Sequence, residues 1–432
     1  MNGFAANMPV ALKVFLSLAA MLLINWRSKN LLASVLIATA VLASLAGFSP
    51  SEALDVVWGR VSSRGNFGLA FVVAQIIWFS SQLKEAGVMR DLVSSVRSAF
   101  PPRMAMASLP AAIGVLPMPG GAIFSAPLVQ ECDESGRVPA DLKTLVNYWF
   151  RHIWEYWWPL YPGVLLAVDI SGVDIWRFIA MQLPMTLAAV GIGWFFLARK
   201  LNLDGGGGFS ARGLHGVLRS FSPVLVVVAV YAGIRIFVPA MAELSAYLPI
   251  ALGILAAMAF VQSVRPLSAA AWRASLLSPR VWKMVLLVEA VRIYGAFIES
   301  RLPDGALLVE RMRSEMAACS IPLILVTMLI PFVSGISTGL AIGFVGASFP
   351  IIMSLIGADA SFAEAAPTLA LAYACGYAGM LLSPVHICLI VTNEHFKTDL
   401  GRSLAKLAIP VGTLVAFAFL YKTALSAVLP AL

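Results

Sequence analysis

The 432-residue chain is 60% hydrophobic and 12% charged, and its mean hydropathy is +0.88. Soluble domains carry about 25% charged residues, so this composition excludes a soluble protein and predicts an all-α polytopic membrane protein. The net charge of +8 is typical of membrane proteins, which concentrate Lys and Arg in cytoplasmic loops. We therefore expect the lipid bilayer as a partner and no nucleic acid.

Apolar stretches predict the spanning helices, because a helix needs about 20 mainly apolar residues to cross a bilayer. About ten such stretches occur, at residues 10–26, 31–48, 66–83, 144–168, 175–198, 221–239, 246–263, 281–299, 366–392 and 405–427. Two further apolar blocks, about 102–130 and 316–356, contain turn-forming breaks near their middles. They predict re-entrant helical hairpins, since non-helical backbone at membrane depth must be buried in protein or line a wet cavity.

The order of these segments predicts two repeats. Residues 1–200 contain three helices, a hairpin, a helix broken at Pro159 and a closing helix. The same order recurs in 217–432, where the broken helix contains Pro384, and a cytoplasmic linker at 201–216 joins the halves. Because each half has an odd number of spans, the second half is expected to lie inverted relative to the first.

The first hairpin tip is rich in helix-breaking residues. Three prolines and two glycines within 117–127 remove backbone hydrogen bonds, and the opened helix ends expose dipoles that attract ions. The alternative is a kinked transmembrane helix. We predict that this segment contacts substrate through Pro119, Gly120, Gly121 and Ser125.

The second hairpin tip carries three hydroxyls and two glycines. Ser334, Ser337 and Thr338 are predicted to bind substrate, and Gly335 and Gly339 to lie beside a coupling ion. Two alternatives stay open for these residues. Each hydroxyl can bond back to a carbonyl one turn earlier, and the glycine spacing also suits tight helix packing.

The broken helix of the first half is the most polar of the spans. Ionisable residues within a span are costly and are functional hypotheses by default. Asn147 and Arg151 are predicted to contact substrate, and His152 and Glu155 to carry a coupling ion or proton. Arg151 and Glu155, four residues apart, can also neutralise each other, and the adjoining Trp and Tyr residues also fit an interfacial belt.

The broken helix of the second half adds two candidate substrate ligands, Ser383 and His386. A lone histidine is more often a structural group, so that alternative stays open. On the eighth span, Glu289, Arg292 and Glu299 are expected to pair with each other on the scaffold.

The four cysteines show no CxxC spacing. Neither a disulfide framework nor a cofactor is expected, and no metal other than Na⁺. Phosphate-loop, H-E-x-x-H and G-x-S-x-G signatures are absent from the sequence, so ATP-driven transport and hydrolysis through these motifs are not expected.

Three segments carry a family resemblance: 117–127 (PMPGGAIFSAP), 147–159 (NYWFRHIWEYWWP) and 383–386 (SPVH). Together they resemble a prokaryotic integral-membrane family of unknown function within the ion-transporter superfamily. That superfamily includes the divalent anion/sodium symporters, the gluconate permeases and the arsenite-efflux carriers. The resemblance implies an elevator-type carrier, a homodimer, and coupling to Na⁺ or H⁺. The symporters have Ser-Asn-Thr at each hairpin tip, and neither tip here matches, so the resemblance does not extend to a dicarboxylate substrate.

These observations predict a secondary active transporter of a small anionic solute in a bacterial or archaeal cytoplasmic membrane. Two alternatives remain. One is an intramembrane hydrolase that uses Ser125 or Ser337 with His152 or His386. The other is a cation/proton exchanger in which His152 and Glu155 titrate.

Overall fold

A computed structural model describes residues 8–115, 121–133, 136–203, 209–357 and 359–429, apart from the side chain of Arg64. These residues form α-helices, the 3-10 turn Ala198–Lys200 and an isolated β-bridge between Arg301 and Leu307. The all-helical class predicted from the sequence is confirmed for the described part of the chain.

The first half contains ten described helices, several of which begin at a proline, where the missing N–H costs no helical hydrogen bond. In chain order they are α1 (Val10–Ser28), α2 (Leu31–Ala46), α3 (Pro50–Val61), α4 (Arg64–Glu85), α5 (Val88–Ala99), α6 (Pro102–Gly114), α7 (Ala122–Glu131), α8 (Ala140–His152), α9 (Pro162–Ser171) and α10 (Ile175–Phe196).

The second half contains eleven described helices. They are α11 (Ala211–Phe237), α12 (Pro239–Leu244), α13 (Leu248–Val264), α14 (Ala269–Leu276), α15 (Pro279–Glu299), α16 (Leu308–Ala318), α17 (Leu323–Thr338), α18 (Ala341–Ile356), α19 (Phe362–Leu381), α20 (Ile387–Phe396) and α21 (Leu400–Val428).

Five of the described helices are long and apolar enough to cross a membrane by themselves, namely α1, α4, α10, α11 and α21. The other predicted spans are the shorter apolar helices α2 and α13, the charged helix α15, and two stretches that the structure divides into pairs. Division of a span is costly in lipid unless neighbouring protein covers the break. The divided spans must therefore lie inside the bundle.

The helices are interrupted at the places that the proline and glycine residues predicted. The first broken helix divides into α8 and α9 around Pro159, and the second divides into α19 and α20 around Pro384. The block 102–130 divides into α6 and α7, which pack together, with the tip residues 116–120 outside the described part. In the block 316–356, α17 and α18 pack together and join at Gly339, whose φ of +63° suits glycine.

One boundary differs from the prediction. The second apolar block does not begin at residue 316, because that residue belongs to α16, and α16 lies at 117° to α17. The connecting helices α3, α5, α12, α14 and α16 were also not predicted from the sequence. These are short helices in the connections between longer ones, too short and too polar to be recognised as spans.

Helices of one half pack against helices of the other half in two reciprocal pairs. The arm α9, which follows the first break, packs against α18, and the arm α20, which follows the second break, packs against α7. The first arms pair within each half, α6 with α8 and α17 with α19. Outside this group, α2 packs on α15 and α13 packs on α4. These reciprocal contacts bring the two helix breaks together at the centre of the molecule.

Candidate functional site

A cavity of about 120 Å³ lies where the two helix breaks meet. Helices α4 and α15 close it on one side, through Ile76, Ile77, Arg280 and Met284. Among the described residues, Gly339 faces it from the second hairpin, and the polar side chains that face it from the breaks are those of Arg151, His152, Glu155, Tyr161, His386 and Cys388. The cavity therefore draws its polar groups from both halves of the chain.

Two histidines form the centre of the site. His152 ends α8, and His386 immediately precedes α20. Their Nε2 atoms lie 3.1 Å apart, and both side chains are almost completely buried. Each Nδ1 faces a backbone carbonyl, that of Tyr148 at 2.6 Å from His152 and that of Met380 at 3.2 Å from His386. The rings are thus held in place by the last turns of α8 and α19.

Cys388 completes this group. The ligand atoms of His152, His386 and Cys388 all lie within 4.8 Å of one another, and the cysteine is buried. Cys388 is in the first turn of α20 because the chain resumes a helix directly after the break. Spacing in the sequence did not reveal this cysteine as a site residue.

Glu155 lies in the first break. Because α8 ends at His152, Glu155 is outside the helix, and the four-residue relation to Arg151 that holds in a continuous helix does not apply. Its carboxylate Oε1 lies 3.9 Å from His152 Nε2. The break therefore turns a carboxylate toward the histidine pair.

Arg151 is buried, with 3% of its surface exposed. Its guanidinium occupies the space that a Cβ at Gly121 would need, so the glycine that precedes α7 leaves room for the charge. Gly121 and Arg151 were both predicted as substrate ligands. The structure brings them into direct contact where α7 begins, directly after the tip residues of the first hairpin.

Helix ends surround the cavity. Helices α9, α18 and α20 begin there, at Pro162, Ala341 and Ile387, and their first N–H groups have no partner within the helix. Such ends carry partial positive charge and favour anions. Helices α8 and α17 end at the same place, where exposed carbonyls favour cations. The cavity can accordingly hold an anion and a cation close together.

Comparison with known proteins places the chain in a family. The profile of the family described as "Protein of unknown function (DUF401)" matches residues 11–424. The chain belongs to this family. No curated protein matches the chain.

Among solved structures, the chain is similar to the YdaH transporter of Alcanivorax borkumensis, which is described as having an unusual topology. The TM-score is 0.55 at 12% identity, and the match covers 96% of this chain and 98% of that chain. At this identity the likeness shows the fold alone. Together with the apolar helices, it identifies the DUF401 chain as a multi-pass membrane protein.

The predicted residues of the second hairpin tip take different positions. Gly339 lines the cavity, and Ser334 is buried with no hydrogen-bond partner for its Oγ among the described residues. Thr338 Oγ1 donates to the carbonyl of Ser334 at 2.7 Å, which is the back-bonded alternative. The carbonyl of Ser337 accepts a hydrogen bond from Asn25 of α1 at 2.8 Å. An added Cβ at Gly335 would collide with the backbone of α19, so this glycine permits close helix packing.

Three other predicted substrate ligands, Ser383, Asn147 and Ser125, are not among the residues that line the cavity. Ser383 Oγ donates to the carbonyl of Ile336 at 2.5 Å and so ties the second break to α17. Asn147 Nδ2 donates to Thr392 Oγ1 at 3.0 Å. Ser125 is buried, and its Oγ has no hydrogen-bond partner within the described segments. Pro119 and Gly120 lie outside the described residues.

An ion pair joins the first broken helix to α15. Arg292 Nε lies 3.0 Å from Asp169 Oδ2 on α9, and Arg292 Nη1 donates to Asn66 Oδ1 at 2.9 Å. Asn66 in turn donates to Glu289. Glu289 and Arg292, which were predicted to pair directly within α15, are therefore linked only through Asn66. Glu299 pairs instead with Arg60 of α3 at 2.5 Å.

Proposed function

We propose that the chain is a secondary active transporter of a small anionic solute, coupled to Na⁺ or H⁺. The observation that carries the proposal is the central cavity, which combines a buried arginine with three helix N-termini. Arg151 and Arg280 face it together with Glu155, the one carboxylate among the described lining residues, so positive charge is in excess when the imidazoles and the Cys388 thiol are neutral. Discontinuous helices whose ends point into a midplane site are the usual binding element of secondary transporters.

We further propose two inverted repeats with re-entrant hairpins and about ten spans, as the order of segments predicts. The reciprocal packing supports this proposal. Exchange of the two halves maps the contact of α9 with α18 onto that of α20 with α7, and the contact of α2 with α15 onto that of α13 with α4. A pseudo-twofold relation requires such pairs.

The proposed mechanism is an elevator, in line with a relation to the divalent anion/sodium symporters, gluconate permeases and arsenite-efflux carriers. The cavity lies between the hairpin and broken-helix group on one side and α4 and α15 on the other. Solute at such a boundary changes sides when one group slides past the other. The Asp169–Arg292 ion pair crosses the same boundary and would have to exchange partners during the movement.

The coupling ion is assigned to the same cavity. Glu155 and His152 offer titratable groups, and the C-terminal ends of α8 and α17 offer carbonyls for a cation. A homodimer in a bacterial or archaeal cytoplasmic membrane completes the proposal.

Reconstitution in liposomes tests the function. Purified protein should move a radiolabelled anion inward when a Na⁺ or pH gradient is imposed, and should not do so without the gradient. Screening by thermal shift selects the anion, because a ligand stabilises the protein according to its concentration relative to Kd.

Two separate glycines, Gly121 and Gly191, provide the matched variants for this experiment. Gly121→Ala displaces the Arg151 guanidinium, whereas Gly191→Ala on α10 adds a methyl group where nothing lies within 4 Å. We expect flux to fall on the order of 10-fold or more in the first variant, since misplacement by about 1 Å can cost far more than this. Equal flux in the two variants would show that the solute site is elsewhere.

The 3.9 Å approach of Glu155 to His152 favours the cation/proton exchanger as the second candidate. Collapse of a pH gradient by Na⁺ alone, with no organic or inorganic anion transported, would select it. For the hydrolase, neither Ser125 nor Ser337 hydrogen-bonds to a histidine among the described residues. Turnover of a lipid or peptide without net flux would nevertheless replace the transporter proposal.

A further inference from the structure

The histidine pair has an electrostatic requirement of its own. A carbonyl oxygen only accepts hydrogen bonds, so the Nδ1 atoms that face Tyr148 and Met380 both carry hydrogen. In neutral rings, both Nε2 atoms then present lone pairs. These lone pairs face each other across 3.1 Å in a buried site. Two lone pairs at this distance repel unless a cation or a proton lies between them.

The geometry suits a metal ion. A tetrahedral ion with Zn–N bonds of about 2.0–2.1 Å separates two nitrogen ligands by about 3.3 Å, which is close to the observed spacing. The rings are nearly perpendicular, at 83°, with their centroids 4.7 Å apart. Histidines that bind metal usually donate their other N–H to a backbone carbonyl or carboxylate. Both histidines here have that second contact.

Cys388 supplies a third ligand of the right chemistry. Its sulfur and one ring nitrogen of each histidine all lie within 4.8 Å of one another. The thiolate is the form of cysteine that binds metal.

We propose that His152, His386 and Cys388 bind one divalent transition-metal ion of the zinc class. Nitrogen and thiolate ligands select such ions over Na⁺, Mg²⁺ or Ca²⁺, which prefer oxygen. Three protein ligands leave one coordination position, and the carboxylate Oε1 of Glu155 lies 3.9 Å from His152 Nε2. The ion would join the break of the first half to that of the second. Metal binding can be tested separately from the proposed transport, because the titration does not require a flux measurement.

Cobalt replacement tests the site. The full-length protein is purified in detergent, stripped with a chelator and titrated with Co²⁺, then with Zn²⁺ in competition. We expect one ion per chain, a thiolate-to-cobalt charge-transfer band in the near ultraviolet and visible bands of tetrahedral intensity. Cys388→Ser should abolish the charge-transfer band and weaken binding at least about 100-fold, since loss of a mere second-shell partner already costs about 10–100-fold.

Cys375→Ser is the matched control, because Cys375 is also a buried thiol and lies on α19 outside the cluster. It should retain the band and the affinity. A readout on the unmodified protein guards against misfolded variants: Zn²⁺ should raise the melting temperature of the stripped parent by at least about 2 °C.

Three results would overturn the metal site. One is that the parent protein binds no stoichiometric Co²⁺ and its melting temperature does not change with Zn²⁺. The cation between the two rings would then be a shared proton. The others are equal binding by the Cys388 and Cys375 variants, and a cobalt spectrum without thiolate character. Failure of anion flux with metal binding intact would instead contradict only the proposed transport.

Discussion

The two helix breaks occupy corresponding positions in the two halves but contribute different chemistry. Each adds one histidine to the cavity. The first break adds the charged residues Arg151 and Glu155, whereas the second adds the thiol of Cys388. Similar packing of the two halves therefore does not impose similar chemistry on the two breaks.

The difference continues along the helices that follow the breaks. The far end of α9 is attached to α15 by the Asp169–Arg292 ion pair. Helix α20 is instead attached to α8 by the neutral hydrogen bond between Asn147 and Thr392. Charged attachments are strong but costly to break when buried, whereas neutral ones contribute about 1 kcal/mol. Three substitutions test this contrast.

The largest effect is expected from Asp169→Asn. Both side chains of the Asp169–Arg292 pair are mostly buried, with 13% and 7% exposed, so the substitution leaves a buried guanidinium without its counter-charge. Loss of one member of such a pair costs about 3–5 kcal/mol, and the melting temperature in detergent should fall accordingly. The control is Asp174→Asn, whose ion pair with Arg235 is about one-third exposed and should contribute about 1 kcal/mol or less. Equal shifts in the two variants would contradict a special role for the α9 attachment.

Arg151→Gln should have the next largest effect, measured as anion flux into liposomes. A charged contact in a desolvated site contributes about 2–5 kcal/mol, which corresponds to a loss on the order of 100-fold. Arg151→Lys should recover part of the flux, because lysine keeps the charge but not the planar fork. The control is Arg402→Gln at a side chain that is 67% exposed. Flux at the parent level in Arg151→Gln would remove the first break from the solute site.

Thr392→Val should have the smallest effect. It removes the hydrogen bonds of Thr392 Oγ1 to Asn147 and to the carbonyl of Cys388, and should lower stability by about 1–2 kcal/mol. Thr413→Val is the control, since Thr413 makes a similar bond to the carbonyl of Ile409 on the exposed face of α21. Its effect should stay within about 0.5 kcal/mol. A loss above about 3 kcal/mol for Thr392→Val would show that the neutral attachment is as strong as the charged one.

Local chemistry allowed the breaks to be predicted. Proline cannot donate a hydrogen bond and glycine weakens a helix wherever it stands, so the interruptions around Pro159, Pro384 and Gly339 could be located from residue types alone. The long helices α1, α4, α10, α11 and α21 followed from apolar length. The polar character of the first broken helix likewise identified Arg151, His152 and Glu155 as candidates.

Other assignments depended on neighbours that no local pattern specifies. Thr338 was predicted as a substrate ligand and makes a back bond, and Gly335 was placed beside an ion but packs on α19. Arg292 was expected to pair within its own helix and instead pairs with Asp169, far away in the sequence. The sequence pattern around each of these residues is compatible with more than one role. Only the residue that packs against it in the structure distinguishes between those roles.

Composition and helix-breaking residues by themselves determined that this chain is a membrane protein with paired interruptions. The tertiary structure alone decided that His152, His386 and Cys388 meet, because the two histidines are 234 positions apart in the chain. Contacts between the halves arise from the packing of α9 on α18 and of α7 on α20, and helical periodicity within one segment carries no information about that packing. Cys388 therefore looked like a small hydrophobe in the sequence and becomes a candidate ligand only beside the two imidazoles.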